Sequence, residues 1–234
     1  MPVHLYGVLN ADAVPASSTR GLDGRPVRTL LIGTHRAWVS DVPDSTLEAT
    51  PKRLLEHDAV LRHAIAAEHL VVPSLFGRLH ANDASLREAL ERGAHSLDEA
   101  MALVRGRVEM SILVAASGAA RPTEHEELPE TREPGREHLQ RIRERVHAER
   151  ILRDRAFDLA KSASRVLSEL SVAERVVEDP VPPVLAARAH LVARENVARY
   201  EQAVNLEAAS ADPQLRVALR GPGAAYSFAA VRFD

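Results

Sequence analysis

The chain has 234 residues, 45% of them apolar and 27% charged, with 30 basic and 33 acidic side chains for a formal charge of −3. That length suits one large or two small domains, and two are expected here; the balance of apolar and charged residues excludes disordered and fibrous classes. With no cysteine, disulfides, thiolate metal sites, iron–sulfur clusters and cysteine nucleophiles are excluded together. No segment approaches the roughly 18 consecutive apolar residues of a spanning helix, and Met1–Gly7 lacks a basic stretch followed by an apolar run, so a cytoplasmic protein is expected. The acidic net charge argues against a chain built to neutralise phosphates.

Residues 3–9 alternate and carry β-formers, predicting a first strand. A polar loop follows to Pro26, and 27–32 and 36–42 read as two more strands joined by a hairpin at Gly33-Thr34, with Trp38 in the core. Thr50-Pro51 opens a helix to about His69, threonine as N-cap and proline at the first helical position. Leu54, Leu55, Ala59, Leu61, Ile65 and Ala66 are expected as its inward stripe. Residues 70–79 look extended, but Pro73 cannot donate to a ladder and Gly77 suggests a bulge, so an edge or interrupted strand is expected. Asn82 caps a helix from about 83 to 103, broken near Gly93, with Leu86, Leu90, Leu97, Met101 and Val104 inward.

After Gly106, 108–115 is a β-branched, apolar strand. Residues 119–135 carry Pro and five glutamates and little bulky apolar material, reading as a flexible, solvated connection. From Arg136 to about 170 there is no Pro or Gly, and Leu139, Ile142, Val146, Leu152, Ala156, Leu159, Ala163, Val166 and Leu170 recur every three to four residues. Such a helix is about 50 Å long, more than a small domain covers, so part of it should project or meet a partner. A strand pair at 172–177 and 185–192, a helix at 194–209 and a strand at 215–219 ended by Gly221-Pro222-Gly223 follow, with an apolar, exposed-looking run from Tyr226 to Val231. The domain expectation is 1–106 and 107–234, both α+β. From 108 onward the order is strand, helix, strand, strand, helix, strand, that of a ferredoxin-like fold.

Catalytic signals are sparse. His57, His63 and His69 stand six apart, about 120° off register, so they do not share a helix face. The expectation is a hydrogen-bonded His57 and solvent-facing His63 and His69; no metal or cofactor is expected. The glycine-rich spots 21–24 and 221–223 read as turns, and no nucleophile elbow occurs. Strands 108–115 and 185–192 hold no Phe, Tyr or Trp, which disfavours RNA stacking on that sheet. The arginines of the long helix, interleaved with Glu and Asp, read as ion-pair decoration. A small-ligand regulatory module built on the ferredoxin-like sheet is the alternative class. An enzyme assembled around His57 or His35 with a carboxylate is a further one.

A set of short motifs in order adds to this. Tyr6-Gly7-Val8, Ala37-Trp38-Val39-Ser40, His57-Asp58-Ala59-Val60-Leu61, Pro73-Ser74-Leu75-Phe76-Gly77, Gly106-Arg107-Val108-Glu109-Met110, Gly135-Arg136-Glu137-His138-Leu139, Ala189-His190-Leu191-Val192 and Gly221–Phe228 run along nearly the whole chain. Through them the chain resembles the GvpL/GvpF family of gas vesicle accessory proteins. It departs from that pattern at Gly223-Ala224-Ala225, where the family has Trp-Pro-Pro, and at His138 and His190, where it has tyrosine. The resemblance implies an N-terminal α+β domain and a modified ferredoxin-like C-terminal domain. It further implies a non-enzymatic role in building the gas vesicle through contacts with the major shell protein and other accessory proteins, without nucleic acid or lipid membrane. On that reading Pro73, Phe76, Gly77, Gly221, Pro222, Tyr226 and Phe228 are candidates for partner contact. The competing reading is that they shape a bulge and cover a sheet edge.

Overall fold

The computed structural model describes residues 1–43, 46–117 and 135–231, the side chains of 135–138 excepted; the expected connection at 119–135 therefore lies almost wholly outside the described residues. By internal contacts the chain divides into two units, one of 1–110 with 191–194 and 221–234, the other of 111–190 with 195–220.

In the first unit, β1 (Val3–Leu9) is buried along its whole length, as a central strand must be. Its neighbours β2 (Arg28–Ile32) and β3 (His35–Asp41) form the hairpin expected at Gly33, whose φ of +53° suits the two-residue turn. The segment after the first helix is interrupted as expected, into β4 (Val71–Pro73) and β5 (Leu79–His80), both paired with β1. Sheet order is β2-β3-β1-β4. Trp38 is fully buried, its indole N–H donating to the Ala13 carbonyl at 3.3 Å.

Helix α1 (Pro51–Ala66) begins where Thr50 accepts from the Arg53 amide. Its buried face is His57, Val60, Leu61, Ala64 and Ile65, which corrects the expected stripe. Leu55, Ala59 and Ala66 lie on the far side, about 160–200° from His57 at 100° per residue. Leu54, in the first turn, stays 44% exposed. His63 is exposed as expected, whereas His69 is half-buried edge-on against Trp38, centroids 6.1 Å apart. Asn82 and Ser85 make a reciprocal capping box at the start of α2 (Asp83–Arg92), and α3 (Ala94–Val104) follows across Gly93. Leu86, Leu90, Leu97, Met101 and Val104 are all buried.

The second sheet takes its strands from β6 (Arg107–Ala116), β7 (Ser171–Val176), β8 (Val184–Ala193) and β9 (Leu215–Gly223), in the order β7-β8-β6-β9. With α4 (Gly135–Leu167) between β6 and β7 and α5 (Val197–Ala209) between β8 and β9, this is the ferredoxin-like arrangement. Burial alternates strictly from Arg107 to Val114, while β8 is buried on both faces from Ala186 to Val192. Within the second unit α4 packs through Ala156, Ala160, Ala163, Ser164 and Leu167, small residues that let the helix approach closely. Of the expected stripe, Leu139, Val146 and Val166 are 58%, 55% and 52% exposed.

One boundary differs in kind. Gly221-Pro222-Gly223 does not end the last strand but belongs to it. Gly221, at φ +126°, has a backbone no L side chain adopts readily. A Cβ there would stand 2.7 Å from the Glu109 carbonyl and 2.8 Å from Met110 Sδ. Glycine lets the strand pass against β6 where the sequence suggests a turn.

Candidate functional site

The candidate partner residues fall in two stretches about 150 positions apart, and the first unit brings them together around two histidines. β1 presents His4 and Tyr6 toward α1, and α1 presents His57; all three are buried. His57 Nε2 lies 3.0 Å from the Ser74 carbonyl, which only accepts, so that nitrogen carries the proton. In the neutral ring Nδ1 is then a bare acceptor, and it meets His4 Nε2 at 2.9 Å, so His4 donates. His4 Nδ1 is left as a buried lone pair without a hydrogen-bond partner among the described residues. Burial holds His4 down to about 3, with the charge of His57 adding to the effect. Burial likewise lowers His57 to about 4, against the opposing pull of the Ser74 carbonyl and Asp58. Both rings are neutral at physiological pH.

Tyr6 is fixed beside them. Its hydroxyl donates to Ser40 Oγ at 3.0 Å and accepts from the Leu22 amide at 2.8 Å, while Ser40 donates to the Pro26 carbonyl at 2.9 Å. Burial pushes the phenol upward. Gly21 makes room for that hydroxyl, since a Cβ at 21 would fall 1.8 Å from it. Gly7 does the same for the backbone, a Cβ there meeting the Val72 carbonyl at 2.8 Å.

Phe76 packs with its ring tilted against His4 at 5.6 Å and edge-on to His57 at 5.9 Å, and Tyr226 lies 6.4 Å from His57. The tail runs beside β4, where the Val231 amide donates to the Pro73 carbonyl at 2.8 Å. Ser227 anchors it, its amide and hydroxyl each donating to a Glu109 carboxylate oxygen at 2.8 Å. Tyr226 and Phe228 are half-buried, and Ala229 and Val231 are buried, so the run is not the open apolar strip expected. Pro73 is buried, while Gly77, at φ +82°, and Gly221 and Pro222 are exposed. Sequence reasoning missed His4, Ser40, Glu109 and Ser227 as members of this cluster. Positions inside the quoted motifs hinted at Ser40, Glu109 and Ser227, and nothing in the sequence hinted at His4.

Both nitrogens of His57 are engaged, and Ser74 Oγ turns away to the Leu75 carbonyl at 3.3 Å. His35 pairs with Asp98 at 3.0 Å on the surface. In the second unit His190 sits between Ser164 Oγ at 2.9 Å and the Tyr200 hydroxyl at 2.7 Å. Ser164 and His190 are 2% and 0% exposed, which closes them to a substrate. Burial lowers His190 to about 4 and raises the Tyr200 phenol. Nearby, Arg188 pairs with Glu174 and covers the Phe157 ring at 5.3 Å. Among the described residues no three of His, Asp and Glu are grouped to hold a metal ion, and no helix is long and apolar enough to cross a membrane.

Against known proteins, the family model for "Gas vesicle synthesis protein GvpL/GvpF" matches residues 2–230. The chain belongs to the GvpL/GvpF family. It is 34% identical over 255 residues to gas vesicle protein L of Streptomyces sp. (strain CB03234), covering 97% of this chain and 92% of that one. It is 25% identical over 240 residues to gas vesicle protein F of Nostoc sp. (strain PCC 7120), covering 98% of each. The crystal structure of GvpF from Anabaena sp. PCC7120 superposes with a TM-score of 0.74 at 21% identity, covering 99% of this chain and 97% of that one. That of GvpF from Microcystis aeruginosa gives 0.74 at 19%, covering 98% and 99%. The α+β fold with its ferredoxin-like sheet is thus the fold of GvpF. His57, Phe76, Glu109, Tyr226 and Ser227, which carried the motif resemblance, are the residues of the cluster just described.

Proposed function

We propose that this GvpL/GvpF protein is a non-enzymatic accessory factor of gas vesicle assembly, working in the cytoplasm and at the vesicle by binding the major shell protein and other accessory proteins. The observation that carries the reading is a family match over 2–230, nearly the entire chain, together with relatives named as gas vesicle proteins L and F. The geometry supports binding over turnover: the buried histidines are neutral and hydrogen-bonded, and Ser164 is sealed in the core. Pro73, Phe76, Gly77, Gly221, Pro222, Tyr226 and Phe228 are proposed as part of a contact surface, with exposed Leu75 between them.

Co-expression with the major gas vesicle shell protein of the same source, affinity capture and native mass determination test the reading. A defined complex surviving moderate salt is expected; both proteins folded, soluble and separate, with other accessory proteins present, refutes it. Tyr226→Ala with Phe228→Ala should weaken that complex while the melting temperature falls by only a few degrees. A large stability loss with capture intact assigns the two rings to the core instead.

A further inference from the structure

A helix face turned to water ordinarily carries charged side chains, and that of α5 carries none. Ala198, Gln202, Asn205, Leu206 and Ala209 share an arc of about 100° opposite the buried Tyr200 and Val204. All five are exposed and none is ionisable, in a chain with 27% charged residues. Depletion of charge is the compositional mark of the centre of a protein–protein interface. Leu206, on the edge of the arc toward α4, is 67% exposed.

Beside this arc a groove of about 290 Å³ runs between α5 and the last turns of α4, both in the second unit. Its α4 wall is Val166 and Leu170 with Glu169, and its α5 wall is Ala203 and Leu206 with Arg199. Glu169 and Arg199 are exposed, and neither forms an ion pair among the described residues. The groove thus offers an acid on one wall and a base on the other, each open to a group from outside.

The register of the two helices decides what fits. Glu169 and Leu170 line the groove with Arg199 at one end, while toward the other Arg155 reaches Asp212 at 3.4 Å and Gln214 at 3.2 Å, so α4 and α5 run antiparallel. A two-fold axis laid along the groove places α4 of one copy over α5 of a second copy at the same height. Glu169 then faces Arg199 of the second copy, twice over, and Leu206 of each copy packs against Val166 of the other. The small Ala203 lets the helices close, and every helix has antiparallel neighbours, as in a four-helix bundle. An axis across the groove sets α4 on α4 and α5 on α5 instead, so the acid no longer faces the base.

We infer that the outer face of α4 and α5 is the interface of a two-fold homodimer of this protein, with the axis along the α4–α5 groove. Val166 and Leu206 supply the apolar contact, and the two Glu169–Arg199 pairs at the rim fix register and disfavour other orientations. The inference goes beyond the assembly reading and does not rest on it, since it concerns contact between copies through residues other than 73–77 and 221–228.

Sedimentation velocity over a range of micromolar concentrations reads the association. Wild type should approach twice the 25.6 kDa of one chain, and Leu206→Glu should stay a single chain at every concentration. Glu169→Arg and Arg199→Glu should each weaken self-association at least tenfold, because each sets like charges opposite one another twice. Mixed in equal amounts, these two variants should form a mixed dimer, since each then finds the opposite charge on the other, a recovery that only a contact between copies gives. Circular dichroism should show both variants as helical as wild type, the changed side chains being exposed. Wild type that stays a single chain throughout overturns the inference. So does a dimer that Leu206→Glu and both charge reversals leave intact, or one whose two reversed variants stay apart on mixing. Capture of the major shell protein by a monomeric wild type, lost in Leu206→Glu, assigns the groove to a foreign helix and likewise overturns it. A dimer with the expected mixing behaviour that captures no gas vesicle component leaves the inference standing and refutes the assembly reading.

Discussion

Acid should loosen this protein well before its carboxylates protonate, and the His4–His57 pair contributes most of the effect, with His190, held at about 4 by burial, adding a share of its own over the same range. Unfolded, each imidazole titrates near 6.5, whereas in the fold burial holds His4 at about 3 and His57 at about 4. Between those values the unfolded chain binds protons that the native chain refuses. The pair's contribution is therefore complete above pH 6.5 and lost as pH falls through 6 and 5 toward 4. From pH 7 to pH 5 each ring accounts for about 2 kcal/mol, so the pair accounts for about 4 kcal/mol, a large part of the 5–15 kcal/mol of an ordinary domain. The geometry gives the cause: an added proton ends on His4 Nδ1, which has no acceptor among the described residues. Urea unfolding followed by tryptophan fluorescence at pH 7, 6 and 5 measures the slope, with Trp38 as the single, buried reporter. His4→Gln keeps an N–H donor toward His57 but cannot titrate, and should reduce the loss from pH 7 to pH 5 by about 2 kcal/mol relative to wild type. An identical slope in the two proteins would refute both the tautomer assignment and the burial argument.

Other side chains give sharper, smaller expectations. Gly21→Ala puts a methyl 1.8 Å from the Tyr6 hydroxyl and should cost about 2–3 kcal/mol, read as a fall in the urea midpoint with an unchanged m-value. Gly221→Ala meets the Glu109 carbonyl at 2.7 Å from a φ of +126° and should cost at least as much, about 3 kcal/mol. Ser227→Ala removes one of two hydrogen bonds to Glu109 and should cost about 1–2 kcal/mol, while also raising hydrogen exchange at the Val231 amide that bonds Pro73. Tyr200→Phe leaves a buried His190 nitrogen without its partner at 2.7 Å and should cost about 1–3 kcal/mol by thermal denaturation.

Local chemistry made most elements legible. The two-residue turn at Gly33, the Thr50 cap, the Asn82 box and the break at Gly93 all follow from what neighbouring residues do to one another. The order from β6 onward was equally readable, because βαββαβ is a short menu once strands and helices are placed. What escaped is what depends on distant partners. The inward face of α1 is chosen by β1, which seats His57 rather than Leu54 or Leu55. Gly221-Pro222-Gly223 has the composition of a turn, and only the close passage along Glu109 and Met110 shows why a strand needs that glycine. The hydrogen bonds His4–His57 and Ser227–Glu109 span 53 and 118 positions, and periodicity carries no information about which far segments meet.

The same contacts bear on where partner recognition is to be sought. His57 holds Ser74, Ser74 holds the Tyr6 carbonyl, Tyr6 holds Ser40, and Glu109 holds Ser227, so the family-like motifs of the first unit form one connected set of packing and hydrogen bonds. Each member has a structural reason to be what it is, before any partner is invoked. A motif match at these positions therefore reports that the fold is kept, and two proteins with different partners can share it. Partner choice is expected to lie with exposed, chemically biased residues, and Arg143, Arg150 and Arg153 with the open apolar stripe of α4 meet that description while the buried histidines do not. Exchanging residues 139–155 between two GvpL/GvpF proteins should then transfer partner preference with little effect on stability, as read by reciprocal capture. If preference instead follows an exchange of 73–77 together with 221–228, recognition lies in the motif cluster and the division of labour argued here is wrong.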